Sequence, residues 1–120
     1  MRTTIRATII LVLVLPLVAD GAEWVGRITD VRCAANRKSG PDHSSCARLC
    51  VRGQMGGGPD LYALLFDDGK YFGLKAKNGR TPALNDKIEH LIDEGITRLR
   101  VHGIQQDATL LVESIEGIKE

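Results

Sequence analysis

The stretch LYALLFDDGKYFGLK, Leu61 to Lys75, restricts the fold more than any other, because it sets an Asp-Gly dipeptide between two apolar runs rich in β-formers. Asp-Gly supplies the turn conformation of a tight hairpin, so the flanking runs predict antiparallel partners, strands two and three of the chain. Asp67 and Asp68 sit at the tip of that hairpin, where Asp serves turn geometry, and are not read as a catalytic carboxylate pair. Upstream, EWVGRITDVRC alternates, with Trp24, Gly26 and Ile28 facing one way and Val25, Arg27 and Thr29 the other. It predicts strand one, running on to Cys33, with Trp24 as a core anchor. Downstream, TRLRVHGI places Leu99 and Val101 inward and Arg98, Arg100 and His102 outward, and QQDA turns into TLLVESI. These are strands four and five.

Two helices interrupt the strands. In TPALNDKIEHLIDEG, Thr81 is the expected N-cap, Pro82 stands at the first helical position where its missing amide costs nothing, and Gly95 lies just past the end. Leu84, Ile88, Leu91 and Ile92 recur at helical spacing and mark its buried face, with His90 solvated. A shorter helix is expected from about His43 to Arg52, capped by Asp42 and ended by Gly53. AANRKSGPD before it reads as a loop. GQMGGGPD after it lacks the Lys and Ser or Thr of a phosphate loop and reads as a flexible linker. The expected fold is therefore mainly β, a five-stranded OB-fold-like barrel with a short helix between strands 1 and 2 and a longer helix between strands 3 and 4. An open α+β sheet is the rival.

The chain begins with Arg2 and Arg6, an apolar run from Ala7 to Val18, and small residues at Ala19, Gly21 and Ala22. That order is the one read as a secretory signal peptide, residues 1–21, with cleavage before Ala22 or Glu23. The apolar run is 12 residues long, short of the roughly 20 that a membrane-spanning helix needs. Residues 22–120 then form one domain in a secreted or periplasmic protein with no permanent membrane anchor. Removing Arg2, Arg6 and Asp20 takes the charges from 16 basic and 15 acidic to 14 of each. A neutral domain with only five aromatic residues does not suit nucleic acid. The basic residues are concentrated near the cysteines, and Arg37, Lys38, Arg48 and Arg52 form a candidate patch for an anionic partner.

The residues GRITDVRC, then His43, then CARLCV, then the strands, resemble a group of small secreted bacterial domains of unknown function with OB-like strands. The matching positions are Gly26, Ile28, Thr29, Asp30, Cys33, His43, Cys46 and Cys50, and the resemblance spans nearly all of Trp24 to Ile115. It implies a fold and an exported location, and it brings no activity or catalytic residue.

His43, Cys46 and Cys50 stand at helical offsets of zero, three and seven, within about 60° of one another around a helix, and share a face. Cys33 begins the loop that leads to that face. Export favours a disulfide staple from Cys33 to Cys46 or Cys50, since Cys46 and Cys50 diverge from each other on a continuous helix. Closing the loop would contribute about 3 kcal/mol, and one thiol would be left buried or free to bridge two chains into a dimer. The alternative is a tetrahedral zinc set of Cys33, His43, Cys46 and Cys50, with thiolate and imidazole as donors. A redox or nucleophilic role for the spare thiol with His43 lacks a C-x-x-C motif and an orienting third group.

With no catalytic motif present, the expected protein is a non-enzymatic, exported binding or envelope-structural domain without a cofactor. Its partner would be a small ligand, a glycan or an envelope protein.

Overall fold

A computed structural model of the chain describes residues 21–36, 41–54, 56 and 58–119, with only the backbone described from 41 to 45. Residues 1–20 of the expected signal peptide, Arg37, Lys38 and the side chains of His43 and Asp42 lie outside the described residues. No helix among those described is long and apolar enough to cross a membrane.

The chain is mainly β with five strands, β1 (Ala22–Asp30), β2 (Tyr62–Leu65), β3 (Tyr71–Ala76), β4 (Arg98–Gln106) and β5 (Thr109–Ile118). Between β1 and β2 lie α1 (Val31–Ala35) and α2 (Pro41–Val51), and between β3 and β4 lies α3 (Thr81–Asp93). The hydrogen-bonded order is β1-β2-β3-β5-β4, and β4 pairs in turn with β1, so the sheet closes on itself. All pairings are antiparallel except β3 with β5, which is parallel from Gly73↔Thr109 to Ala76↔Val112. Closure gives each strand a partner on both sides over part of its length, which shortens the free edges that invite pairing with another chain. It also demands close approach at Gly103, beside a register shift in the β4–β5 ladder, where a Cβ would collide with the Leu111 carbonyl oxygen.

The inside of the closed sheet is filled by Ile28, Tyr62, Leu64, Leu74, Leu99, Val101 and Leu110, with Ile88 of α3 packed against them and Trp24 at the margin. Leu99 and Val101 are buried, as the alternation in β4 predicts, while Arg98, Arg100 and His102 keep partial access to solvent. The hairpin at Asp67–Gly69 is closed by Phe66 N–H donating to the Lys70 carbonyl at 2.9 Å, and Asp68 Oδ1 accepts from Lys70 N–H at 2.9 Å.

Several local expectations are corrected. Strand one ends at Asp30 rather than Cys33, because Asp30 itself caps a helical turn that begins at Val31. The second helix begins at Pro41, one residue before the expected cap Asp42, with proline at the first position where its missing N–H is harmless. Arg80, not Thr81, occupies the N-cap of α3, and the Thr81 hydroxyl instead accepts from Ala76 N–H at 3.2 Å, tying the helix start to β3. At the C-terminus of α2, Gly53 takes φ +77°, Gly53 N–H donates to Cys50 O at 3.1 Å and Gln54 N–H to Leu49 O at 2.8 Å. That pair of bonds is the glycine-terminated cap expected there.

Candidate metal centre

The end of β1 departs from alternation, because Ile28, Thr29 and Asp30 are all buried in succession. Asp30 has an extended backbone, and its Oδ2 accepts from Arg32 N–H at 3.1 Å and Cys33 N–H at 3.3 Å. An Asp in this position satisfies amides that a helix start leaves open. The turn it nucleates lifts Cys33 off the sheet line and onto α1, facing α2.

Cys46 and Cys50 lie one helical turn apart on α2, whose Ala47 and Val51 are buried in the same region. Cys33 and Cys50 are buried, Cys46 is half-buried, and the three sulfurs all lie within 4.8 Å of one another. Three cysteines from two helices are therefore close enough to bind a metal. The expected disulfide is not formed: all three thiols are free, and Cys33 Sγ stands 3.9 Å from Cys46 Sγ, where a bond requires about 2.05 Å. The physical reason is that Cys33 rides on a helix and meets both α2 sulfurs, rather than arriving on an extended strand to pair with one. A separation of 3.9 Å is close to the edge of a tetrahedron with metal–sulfur arms of about 2.3 Å, which is roughly 3.8 Å. The fourth expected donor, His43, is on α2 with its side chain outside the described residues.

The electrostatics around the sulfurs are acidic. Burial raises the Cys33 thiol well above its ordinary range, and the Asp30 carboxylate beside it and then Cys46 add to the effect. Burial first, then Asp30 and Cys46, push Cys50 up to about 11. Protonated thiols are poor nucleophiles at neutral pH, which counts against redox or covalent chemistry at the cluster. A bound cation reverses that balance by stabilising the thiolates.

Asp60, in the glycine-rich stretch read as a flexible linker, joins the same cluster. Its Oδ2 accepts from Arg32 N–H at 3.2 Å, Arg32 Nε lies 3.7 Å from that oxygen, and Asp60 N–H donates to Cys50 O at 3.2 Å. Burial and the neighbouring Asp30 raise its carboxyl to about 6. Arg32 also donates to the Gly56 carbonyl at 2.7 Å and to the Gly58 carbonyl, so its guanidinium fastens the stretch over α1. Neither Asp60 nor this role of Arg32 was predicted. The partners are 28 and about 25 residues apart, and no local pattern signals such a contact.

The basic patch expected to meet an anionic partner is divided. Arg48 donates to Asp93 Oδ1 at 2.6 Å and to the Glu89 carbonyl at 3.1 Å, and Arg52 bonds both Glu89 carboxylate oxygens, so these two cations are held by α3. His90 and His102 lie 3.5 and 3.6 Å from Glu94 and Glu23 at the surface, as their exposed positions suggest. No family model, curated protein or solved structure matches the chain.

Proposed function

We propose that this is an exported, OB-like binding domain whose β1–β2 connection is organised around a structural, zinc-type metal ion held by Cys33, Cys46 and Cys50. The observation that carries the metal is the convergence of three free sulfurs within 4.8 Å, with one separation at the tetrahedral edge. Thiolates select zinc and other borderline or soft ions over magnesium and calcium. Burial of two of the three sulfurs suits a closed structural site better than a catalytic one, which keeps a ligand position open.

The closed order with β3 parallel to β5, and α3 between β3 and β4, supports the OB-fold barrel. In that fold the β1–β2 and β4–β5 connections flank the ligand face. The metal would thus fix the larger of two loops around a face for a small ligand, a glycan or an envelope protein. The leader-like start and the resemblance to small secreted bacterial domains support export. Metal ligation also gives the cysteines a way to remain unbridged in an oxidising compartment, where bare thiols would be expected to pair.

The test is the intact mass of the exported mature chain under native and denaturing conditions, with thiol alkylation. One metal ion per chain and three alkylated cysteines after denaturation are expected. A mass lower by two hydrogens, one alkylated cysteine and no metal would overturn the proposal.

A further inference from the structure

β3 stops at Ala76 while β5 runs on to Ile118, so past the last ladder pair, Ala76↔Val112, β5 has α3 rather than β3 beside it. The mismatch leaves a cleft of about 300 Å³ between the two elements, at the lower end of the size range of small-molecule sites. We propose that this cleft binds a small straight-chain dicarboxylate, with one carboxylate at Arg80, the other at Lys87 and the hydrocarbon middle between them. The cleft shares no residue with the cysteine cluster, so it is a second site that does not depend on the metal.

Arg80, Ala83, Leu84 and Lys87 stand at offsets of zero, three, four and seven along the start of α3, and all four line the cleft. The stripe reads cation, apolar, apolar, cation, with about 10.5 Å of helix rise between its ends. Opposite it, Val112 and Ile115 of β5 are buried and form an apolar floor. β5 bulges here: His102 pairs with Ser114 and Gly103 with Val112, which leaves Glu113 as the extra residue. Four successive residues, 112 to 115, therefore reach the cleft, where a regular strand would offer alternate ones.

The charges around the cleft do not cancel. Glu113, which also lines it, is held by Lys77 Nζ at 2.7 Å. The Arg80 and Lys87 side chains, exposed at the rim, have no acidic partner among the described residues. Two unmatched cations thus stand on either side of an apolar surface. A guanidinium takes a carboxylate bidentately, and an ammonium takes one as a point charge. Asn78 Oδ1 accepts from Arg80 N–H at 2.9 Å, which leaves the Asn78 amide group as a further donor at the Arg80 end. This order of groups selects a ligand with two anionic ends and an apolar middle over a monocarboxylate or a compact inorganic anion.

Calorimetric titration of the mature chain with hexanedioate and octanedioate tests this, with octanoate and sulfate as the single-ended and inorganic probes. At least one of the two diacids should bind at one equivalent with a Kd below about 1 mM. Octanoate and sulfate should each bind at least about tenfold more weakly than that diacid, for want of the second charged contact. Arg80→Gln and Lys87→Gln should each weaken the diacid by about tenfold, while Arg100→Gln, on the β4 surface, leaves it unchanged. Amide NMR of the wild type locates the ligand without any variant: shifts at Leu84, Val112 and Ser114 are expected. No saturable binding of either diacid up to about 10 mM would overturn the proposal. So would octanoate or sulfate binding as tightly as the diacid, affinity unchanged in both cleft variants, or shifts confined to residues outside the cleft.

Discussion

Two buried carboxylates stand at opposite sides of α2, and they are buried differently. Glu89 of α3 is 8% exposed and fully engaged, with Arg52 on both oxygens and the Tyr62 hydroxyl donating at 3.0 Å. Asp30 is more deeply buried, holds two backbone amides on one oxygen, and leaves the other among thiols and a second carboxyl. Burial alone thus does not single out a site. What distinguishes Asp30 is that its side-chain neighbours are the thiols of Cys33 and Cys50 and the carboxyl of Asp60, whereas Glu89 meets the guanidinium of Arg52.

The largest expected effect separates the two sides by metal removal. With free zinc at about 1,000 times its Kd, the wild type should be stabilised by about 4 kcal/mol over its chelated form, read as a shift in thermal midpoint. Cys50→Ser should abolish that difference. A variant still stabilised by zinc to the same extent would place the metal elsewhere.

Breaking the Glu89 side should produce the opposite profile. Glu89→Ala leaves the buried Tyr62 hydroxyl without its acceptor and should cost about 2 kcal/mol in denaturant unfolding, with metal content unchanged. Loss of metal together with stability would show that α2 transmits one side to the other. Smaller again, Asp30→Asn should change the stability of the metal-free chain by no more than about 1 kcal/mol, since the helix cap survives. A much larger loss would mean that Asp30 is structural in the manner of Glu89.

The smallest effect is a pH slope from Asp60, whose carboxyl is raised from 3.8 to about 6. The folded metal-free chain then holds a proton that the unfolded chain has released. Its contribution to stability is complete below about pH 4 and is lost as the pH rises through about 6. Metal binding requires deprotonated donors, so the zinc-bound chain should instead lose stability as the pH falls. Unfolding curves across that window should slope in opposite directions with and without zinc, and Asp60→Asn should flatten the metal-free one. Parallel slopes would contradict the acidic cluster.

What the sequence revealed follows the range of the interactions. The Asp67–Gly69 hairpin, α3 with Pro82 and Gly95, and the Gly53 terminus are written in neighbouring residues, and each is found where its turn or capping residues place it. The shared face of Cys46 and Cys50 was legible for the same reason. The β1–α1 boundary was not: Val31 continues a β-branched run, and only the capping bonds of Asp30, together with Ala34 and Ala35, turn the chain. The disulfide was inferred from compartment chemistry and was corrected by the geometry of α1. Asp60 and the pairing of Arg48 and Arg52 with α3 depend on contacts 28 to 45 residues apart, which only the folded chain reveals.

The most direct test of the thiolate centre is zinc K-edge X-ray absorption on the metal-bound mature chain. Three sulfur scatterers at about 2.3 Å and one oxygen or nitrogen at about 2.0–2.2 Å are predicted. A shell of oxygen and nitrogen alone would contradict the account.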